Sequence, residues 1–335
     1  MEPILAMAPN PRGSEAAQKI MTPQNEQRLL DILDVAQKHD GLKYGMMPWY
    51  VMDPLFERMV RIFGKDKAIE QYTKLNTLMS MASPGSEVPT EINRGTAAYY
   101  LQHNNRFDDF INYAGLTKHM RGADFPADIA DVMGHMYHKT SQALPMQNYL
   151  KTGKIEMGTP KVPTYIPASG VPETGFQTTH AVPDAHYTRI GGMGEARTSS
   201  EPGVSMKMSE YQDIQPWWRK NIAEKAGMQS VPAQALVWGA GSGATGVSSP
   251  IGAPKLEMIA DYIMERARKH GISPQRALDM ILEGKLYSEG GVVEEFARGG
   301  APHATGPHIP HHLAGIPGVH IVGRDAGHPI FIGEE

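Results

Sequence analysis

Apolar residues recur along this chain at helical spacing, in segments that begin at proline or a capping hydroxyl and end at glycine. Thr22-Pro23 opens the first of them, with Leu29, Ile32, Leu33 and Ala36 as its apolar stripe. Asp53-Pro54 repeats the device for a helix through Phe63, stopped by Gly64. A third segment over 66–81 places Ile69, Tyr72, Leu75, Leu78 and Met79 on one side and stops at Ser83-Pro84-Gly85. Further helices are expected over 91–102, 106–114 and 126–140, and no window of period-two alternation competes with them before residue 150.

From 151 to 203 the periodicity dissolves into Gly, Pro, Thr and Ser, a stretch expected to be an irregular functional loop. It returns at Ser209, where Ser209 and Gln212 match a capping box, Pro216 must kink or split the helix, and Gly227 closes it. A short helix over 231–238 precedes Gly239-Ala-Gly-Ser-Gly-Ala-Thr-Gly246. That run lacks both the preceding strand and the Lys-Ser or Lys-Thr of a phosphate loop and reads as a flexible link. Leu256, Ile259, Ala260, Ile263, Met264 and Ala267 define another amphipathic helix, and Ser273-Pro274 caps a partner running to about 283. The pair has helix-turn-helix spacing but no basic recognition face, as in an ordinary helical hairpin.

The expected fold is therefore mainly α, a helical bundle-like body with a long Gly/Pro-rich loop and two flexible arms. Its divisions are an arm over 1–21, a helical domain over 22–283 (first half 22–150, irregular region 151–208, second half 209–283) and a Gly/Pro/His-rich tail over 284–335. A small hairpin is expected near 319–332, around Asp325 to Gly327.

Composition changes this picture in a few respects. A chain of 335 residues with 41% hydrophobic and 20% charged residues buries a sizeable core, while 35 Gly and 26 Pro lengthen its irregular parts. The 21 Met against 8 Phe point to a core of adaptable fillers. The absence of cysteine removes disulfides and thiolate chemistry, and no apolar run suggests a signal peptide or membrane span. The net charge of -4 confines any nucleic-acid contact to a local groove. His308, His311 and His312 are close enough in sequence to share a metal, yet their proline-rich backbone organises no ligand set; neither metal nor cofactor is expected.

Two segments carry candidate chemistry. In Trp217-Trp218-Arg219-Lys220, two indoles stand beside two cations, a pairing that stacks on bases, although the apolar side formed by Ile214, Ile222 and Ala223 claims one Trp for the core. In Asp184-x-His186-x-x-Arg189, a carboxylate at a helix start precedes His and Arg about one turn apart. Asp184 and His186 are the catalytic candidates, with helix capping as the alternative role of Asp184.

Several motifs in order resemble a family of helical proteins encoded mainly by bacteriophages. They are Trp49-Tyr50; Ser83-Pro84-Gly85 with Asn93 and Ala97; Lys161-Val162-x-x-Tyr165; the Asp-x-His segment; Glu210-Tyr211; and Gln234-Ala235-x-x-Trp238. That pattern is in turn similar to the helix-hairpin-helix DNA glycosylases, whose Val-Asp-x-His-like segment Asp184, His186 and Arg189 match with Pro183 inserted. The hairpin's Gly-x-Gly turn and following Lys are missing before Asp184, where Ser169-Gly170-Val171-Pro172 is the nearest counterpart. The resemblance implies a DNA-associated protein acting on a nucleobase as a glycosylase-like hydrolase, with Asp184 and His186 catalytic, Lys161 and Arg189 on phosphates, and Trp49 or Tyr50 against the base. The alternative is a non-catalytic virion or virion-internal component that contacts other virion proteins. Either would work in the host cytoplasm or the virion.

Overall fold

The computed structural model describes residues 15–84, 86, 88–108, 111, 140–155, 161–175, 178, 180–182, 208–242, 255–286, 319–325 and 328–333. The body is mainly α-helical: α1 (Glu15–Ile20), α2 (Pro23–Lys38), α3 (Asp40–Met46), α4 (Asp53–Phe63), α5 (Lys65–Ala82), α6 (Val88–His103), α7 (Thr140–Thr152), α8 (Lys161–Ala168), α9 (Met208–Trp217), α10 (Ser230–Ser242), α11 (Lys255–His270) and α12 (Pro274–Leu282). A 3₁₀ turn spans Pro172–Thr174, and a π-helical turn, Trp218–Ala223, continues α9. An antiparallel hairpin, β1 (Val319–Asp325) and β2 (His328–Gly333), pairs Val319 with Gly333 and Asp325 with His328, with a register shift between Ile321 and Gly323.

Local chemistry sets most of the boundaries. The Thr22 hydroxyl accepts the Asn25 amide at 3.2 Å with Pro23 at the first helical position, and Ser273 does the same for Arg276 at 3.2 Å ahead of Pro274. His39 ends α2 and starts α3, its Nδ1 accepting from Leu42 N–H at 3.3 Å. Met52, rather than Asp53, occupies the cap of α4, which leaves Asp53 in the first turn where its charge complements the helix dipole. Gly64, at φ +77°, ends α4 and begins α5, a backbone state that side chains rarely adopt.

Two apolar clusters divide the body. The first gathers α4, α5 and α6 with α7, part of α8, and the α11–α12 hairpin around Tyr72, Leu78, Met79, Tyr99 and Leu282. The second gathers α1, α2 and α3 with α9, the π turn and α10 around Leu33, Trp49, Trp218, Leu236 and Trp238. Sequence halves are thus interleaved: the beginning of the chain packs on residues 208–242, while 53–103 pack on 255–286. Hydrogen bonds between segments far apart in sequence hold the body together, the following among them. Tyr72 Oη donates to Ser169 O at 2.5 Å, Asn76 Nδ2 to Ile166 O at 2.9 Å, and Arg58 grips Asp279 through two bonds of 2.8 and 2.7 Å.

Several expectations need correction. Residues 15–20 are not part of a loose arm, because α1 buries Ala17 and Ile20 completely. The body also runs past 283, since Leu286 is buried and Asn104 Nδ2 donates to Gly284 O at 2.8 Å. The irregular region contains the end of α7, then α8, whose Val162, Thr164, Tyr165 and Ile166 are buried. Nor is Gly239 the start of a linker. Helix α10 continues to Ser242, and a Cβ at Gly239 would stand 2.5 Å from Met46 Cγ, so the glycine lets α10 lie close against α3. Helix α9 begins at Met208, ahead of the expected cap at Ser209, while Gly227 closes its segment at φ +68° as expected. The expected helix over 126–140 lies outside the described residues except for Thr140, which opens α7.

Candidate functional site at the Ala181 anchor

Asp184, His186 and Arg189 lie outside the described residues; the chain that leads to them does not. Ala181 and Val182 are fully buried in the second cluster. Gln215 of α9 holds Ala181 as a strand partner would: its Oε1 accepts the Ala181 N–H at 2.9 Å and its Nε2 donates to Ala181 O at 3.1 Å. Tyr211, one turn earlier on α9, donates its hydroxyl to the same carbonyl at 3.1 Å. Burial pushes the Tyr211 phenol well above its ordinary pKa, so it stays a donor. Three bonds therefore fix the backbone at Ala181.

Helix α9 needs an unusual end to hold this anchor. Pro216 lacks an N–H, so the ladder cannot continue unbroken, and the chain widens into the π turn Trp218–Ala223, with Glu224 N–H bonding Arg219 O at 2.9 Å. This turns Trp218 into the core, where its Nε1 donates to Ser230 O at 3.3 Å, and leaves Trp217 half-buried. Arg219 and Lys220 face solvent. Arg219 Nε comes only to 3.6 Å of Glu224 Oε1, and both side chains are more than half exposed.

His180, Gln215, Pro216 and Arg219 line a small open cleft beside the anchor. The His180 amide donates to Thr178 Oγ1 at 3.0 Å, and the same oxygen lies 3.2 Å from His180 Nδ1. Burial, and secondarily the nearby Arg219 guanidinium, hold the His180 imidazole below its ordinary pKa.

The aromatic candidates lie elsewhere than the base-holding role requires. Trp49 is 1% exposed and meets Trp238 edge-on, with centroids 4.6 Å apart. Tyr50 is 6% exposed, stands edge-on to Tyr165 at 5.4 Å, and donates its hydroxyl to Gln234 Oε1 at 3.3 Å. Both rings are core and offer no face to a flipped base. Lys161 opens α8, half-buried, with its Nζ 6.0 Å from the centre of the Tyr165 ring.

Against the Tyr165 ring also lies a buried charge pair. Lys255 Nζ sits 2.6 Å from Glu91 Oε1 and 4.4 Å from the Tyr165 ring centre, with side chains 0% and 2% exposed. Burial, and secondarily Lys161, depress the Lys255 pKa, while Glu91 opposes them. The partners are 164 positions apart, and no local pattern announces a pair at that separation. Gln215, too, resembles any polar helical residue in sequence. Arg219 carries a weak sequence signal, the Trp217-Trp218-Arg219-Lys220 run, and His180 carries none. Among the described residues no group of three His, Cys, Asp or Glu is placed to hold a metal ion, and no helix is long and apolar enough to cross a membrane. Comparison of the chain with known protein families, curated proteins and solved structures finds no match.

Proposed function

We propose that this chain is a DNA-associated helical protein with glycosylase-like action on a nucleobase, in which Asp184 supplies the supporting carboxylate. The observation that carries this reading is the triple hydrogen-bonded anchor at Ala181, three positions ahead of Asp184 in sequence, with the exposed cation Arg219 on the cleft beside the anchor. Base release breaks the bond between C1′ and the base nitrogen. The electron pair leaves with the base, which takes up a proton, and a water oxygen bonds to C1′ as it loses one. The transition state is a cationic sugar, so a fixed carboxylate beside C1′ lowers its energy and can take the proton from the water. His186 orients that carboxylate, and Arg189 and Lys161 contact phosphates. With Trp49 and Tyr50 in the core, half-buried Trp217 is the aromatic surface nearest in sequence to the cleft cation.

The test is a gel shift at low salt with duplex and single-stranded DNA, followed by an abasic-site assay over modified and unmodified bases. Asp184→Asn is expected to abolish base release with DNA affinity and thermal unfolding nearly unchanged, since only charge stabilisation in the transition state is lost. Absence of binding to either DNA form would turn the assignment to the non-catalytic virion component.

A further inference from the structure

The cleft at the anchor has a lining that selects for charge. Gln215 commits its Oε1 and one of its two Nε2 hydrogens to Ala181, and Pro216 has no N–H. Among the described residues, the cleft wall therefore offers the Arg219 guanidinium, a cation that donates and never accepts, together with the His180 ring and the second Gln215 N–H. Glu224 meets Arg219 only at 3.6 Å, through an exposed contact that water and salt weaken. The cleft is small and open, suited to one tetrahedral anion rather than to a planar base, and its wall residue His180 is joined directly by a peptide bond to the anchored Ala181. We propose that the cleft formed by His180, Gln215, Pro216 and Arg219 seats one backbone phosphodiester of the nucleic-acid strand. This rests on the DNA reading above and adds the point at which the strand is held.

An anion in the cleft offsets the Arg219 charge felt by His180, so occupancy raises the His180 pKa and, by reciprocity, binding tightens as pH falls through the imidazole range. Arg219 is the charged neighbour that acts on His180, and Glu224 is the carboxylate in contact with Arg219.

The experiment measures binding of the full chain to a single-stranded oligonucleotide across a salt series, alongside histidine NMR titrations with the oligonucleotide and with inorganic phosphate. Arg219→Gln is expected to weaken oligonucleotide binding several-fold and to reduce the salt slope by about 0.7, the share of one contact on a single strand. His180→Gln should flatten the pH dependence of binding through the imidazole range. Lys151→Gln, which removes an exposed cation paired with Asp108, serves as the control and should change affinity and slope less than Arg219→Gln does. If the oligonucleotide binds but Arg219→Gln keeps both affinity and slope, the cleft assignment falls and the DNA reading stands. If the intact chain binds no DNA, both fall. If inorganic phosphate raises the His180 pKa at the same concentration as the oligonucleotide, the cleft is a free-phosphate site and the strand assignment is overturned.

Discussion

Two glycines show how much a single missing carbon does here. A Cβ at Gly95 of α6 would stand 2.6 Å from Met79 Cα and 2.4 Å from its Cγ, so the obstruction includes the backbone of α5. At Gly239 the obstruction is the Met46 side chain alone, at 2.5 Å from Cγ and 3.2 Å from Sδ and Cε. Methionine has three rotatable side-chain bonds and yields where a helix backbone does not. Gly95→Ala should therefore lose about 3 kcal/mol or more, while Gly239→Ala loses roughly 1–2, each after the gain of about 1 that alanine brings to a helix. Urea melts of the two variants check this, and adding Met46→Ala to Gly239→Ala should restore part of the loss. No relief should come from Met79→Ala in the Gly95→Ala background, because Met79 Cα remains.

At the scale of elements, starts and stops that depend on neighbouring residues were readable: the caps at Thr22 and Ser273, the reversals at Gly64 and Gly227, and the apolar stripes of α2, α5 and α11. What escaped the sequence depends on distant partners. A glycine run has the same composition whether it links domains or lets helices touch, and only Met46 on α3 distinguishes the two at Gly239. Helix α8 hides behind Pro163 and Pro167: Pro163 lies in the first turn, where amides have no helical acceptor and no bond is lost, while Pro167 lies inside the last turn and removes one bond only near the helix end. The anchor was out of reach for a similar reason, because Gln215 and Ala181 are joined by the fold and not by spacing. The six residues of α1 are too few to show helical periodicity, so in sequence they look no different from an arm. Deleting residues 1–21 should consequently lower the melting temperature, the buried Ile20 alone contributing roughly 1.5–3 kcal/mol. Cutting the chain after Leu286 should shift it far less than cutting after Leu282, which also removes Gly284 from its place beside His103 and Asn104 and Leu286 from the first cluster. Calorimetry of the three truncations decides the order.

Across the whole molecule, Tyr50, Tyr165, Lys255 and Glu91 form a continuous row from the second cluster into the first. All four tryptophans (Trp49, Trp217, Trp218 and Trp238) belong to or pack against the second cluster, so their fluorescence reports on it, whereas far-UV circular dichroism reports on all helices. Glu91→Gln leaves Lys255 buried without a carboxylate, a loss of about 3–5 kcal/mol. If the row couples the clusters, tryptophan fluorescence and circular dichroism should lose the same increment of denaturant midpoint together. Separate transitions would mean that the clusters unfold independently. Replacing both partners, as Glu91→Leu with Lys255→Met, should recover most of the loss, because an apolar pair of similar volume carries no desolvation cost.

The interleaving of the two clusters also sets a timetable for the nascent chain. Helix α2 leaves the ribosome with Leu29, Leu33 and Ala36 bare, and the helix that covers them ends at Ser242, about 200 residues later. At 5–20 residues per second the interval is roughly ten to forty seconds. Helices α4, α5 and α6 are complete by His103 and can begin their own cluster meanwhile, but its α11–α12 wall arrives only after the second cluster has closed. During that wait the first helices are a natural target for chaperones that hold exposed apolar segments.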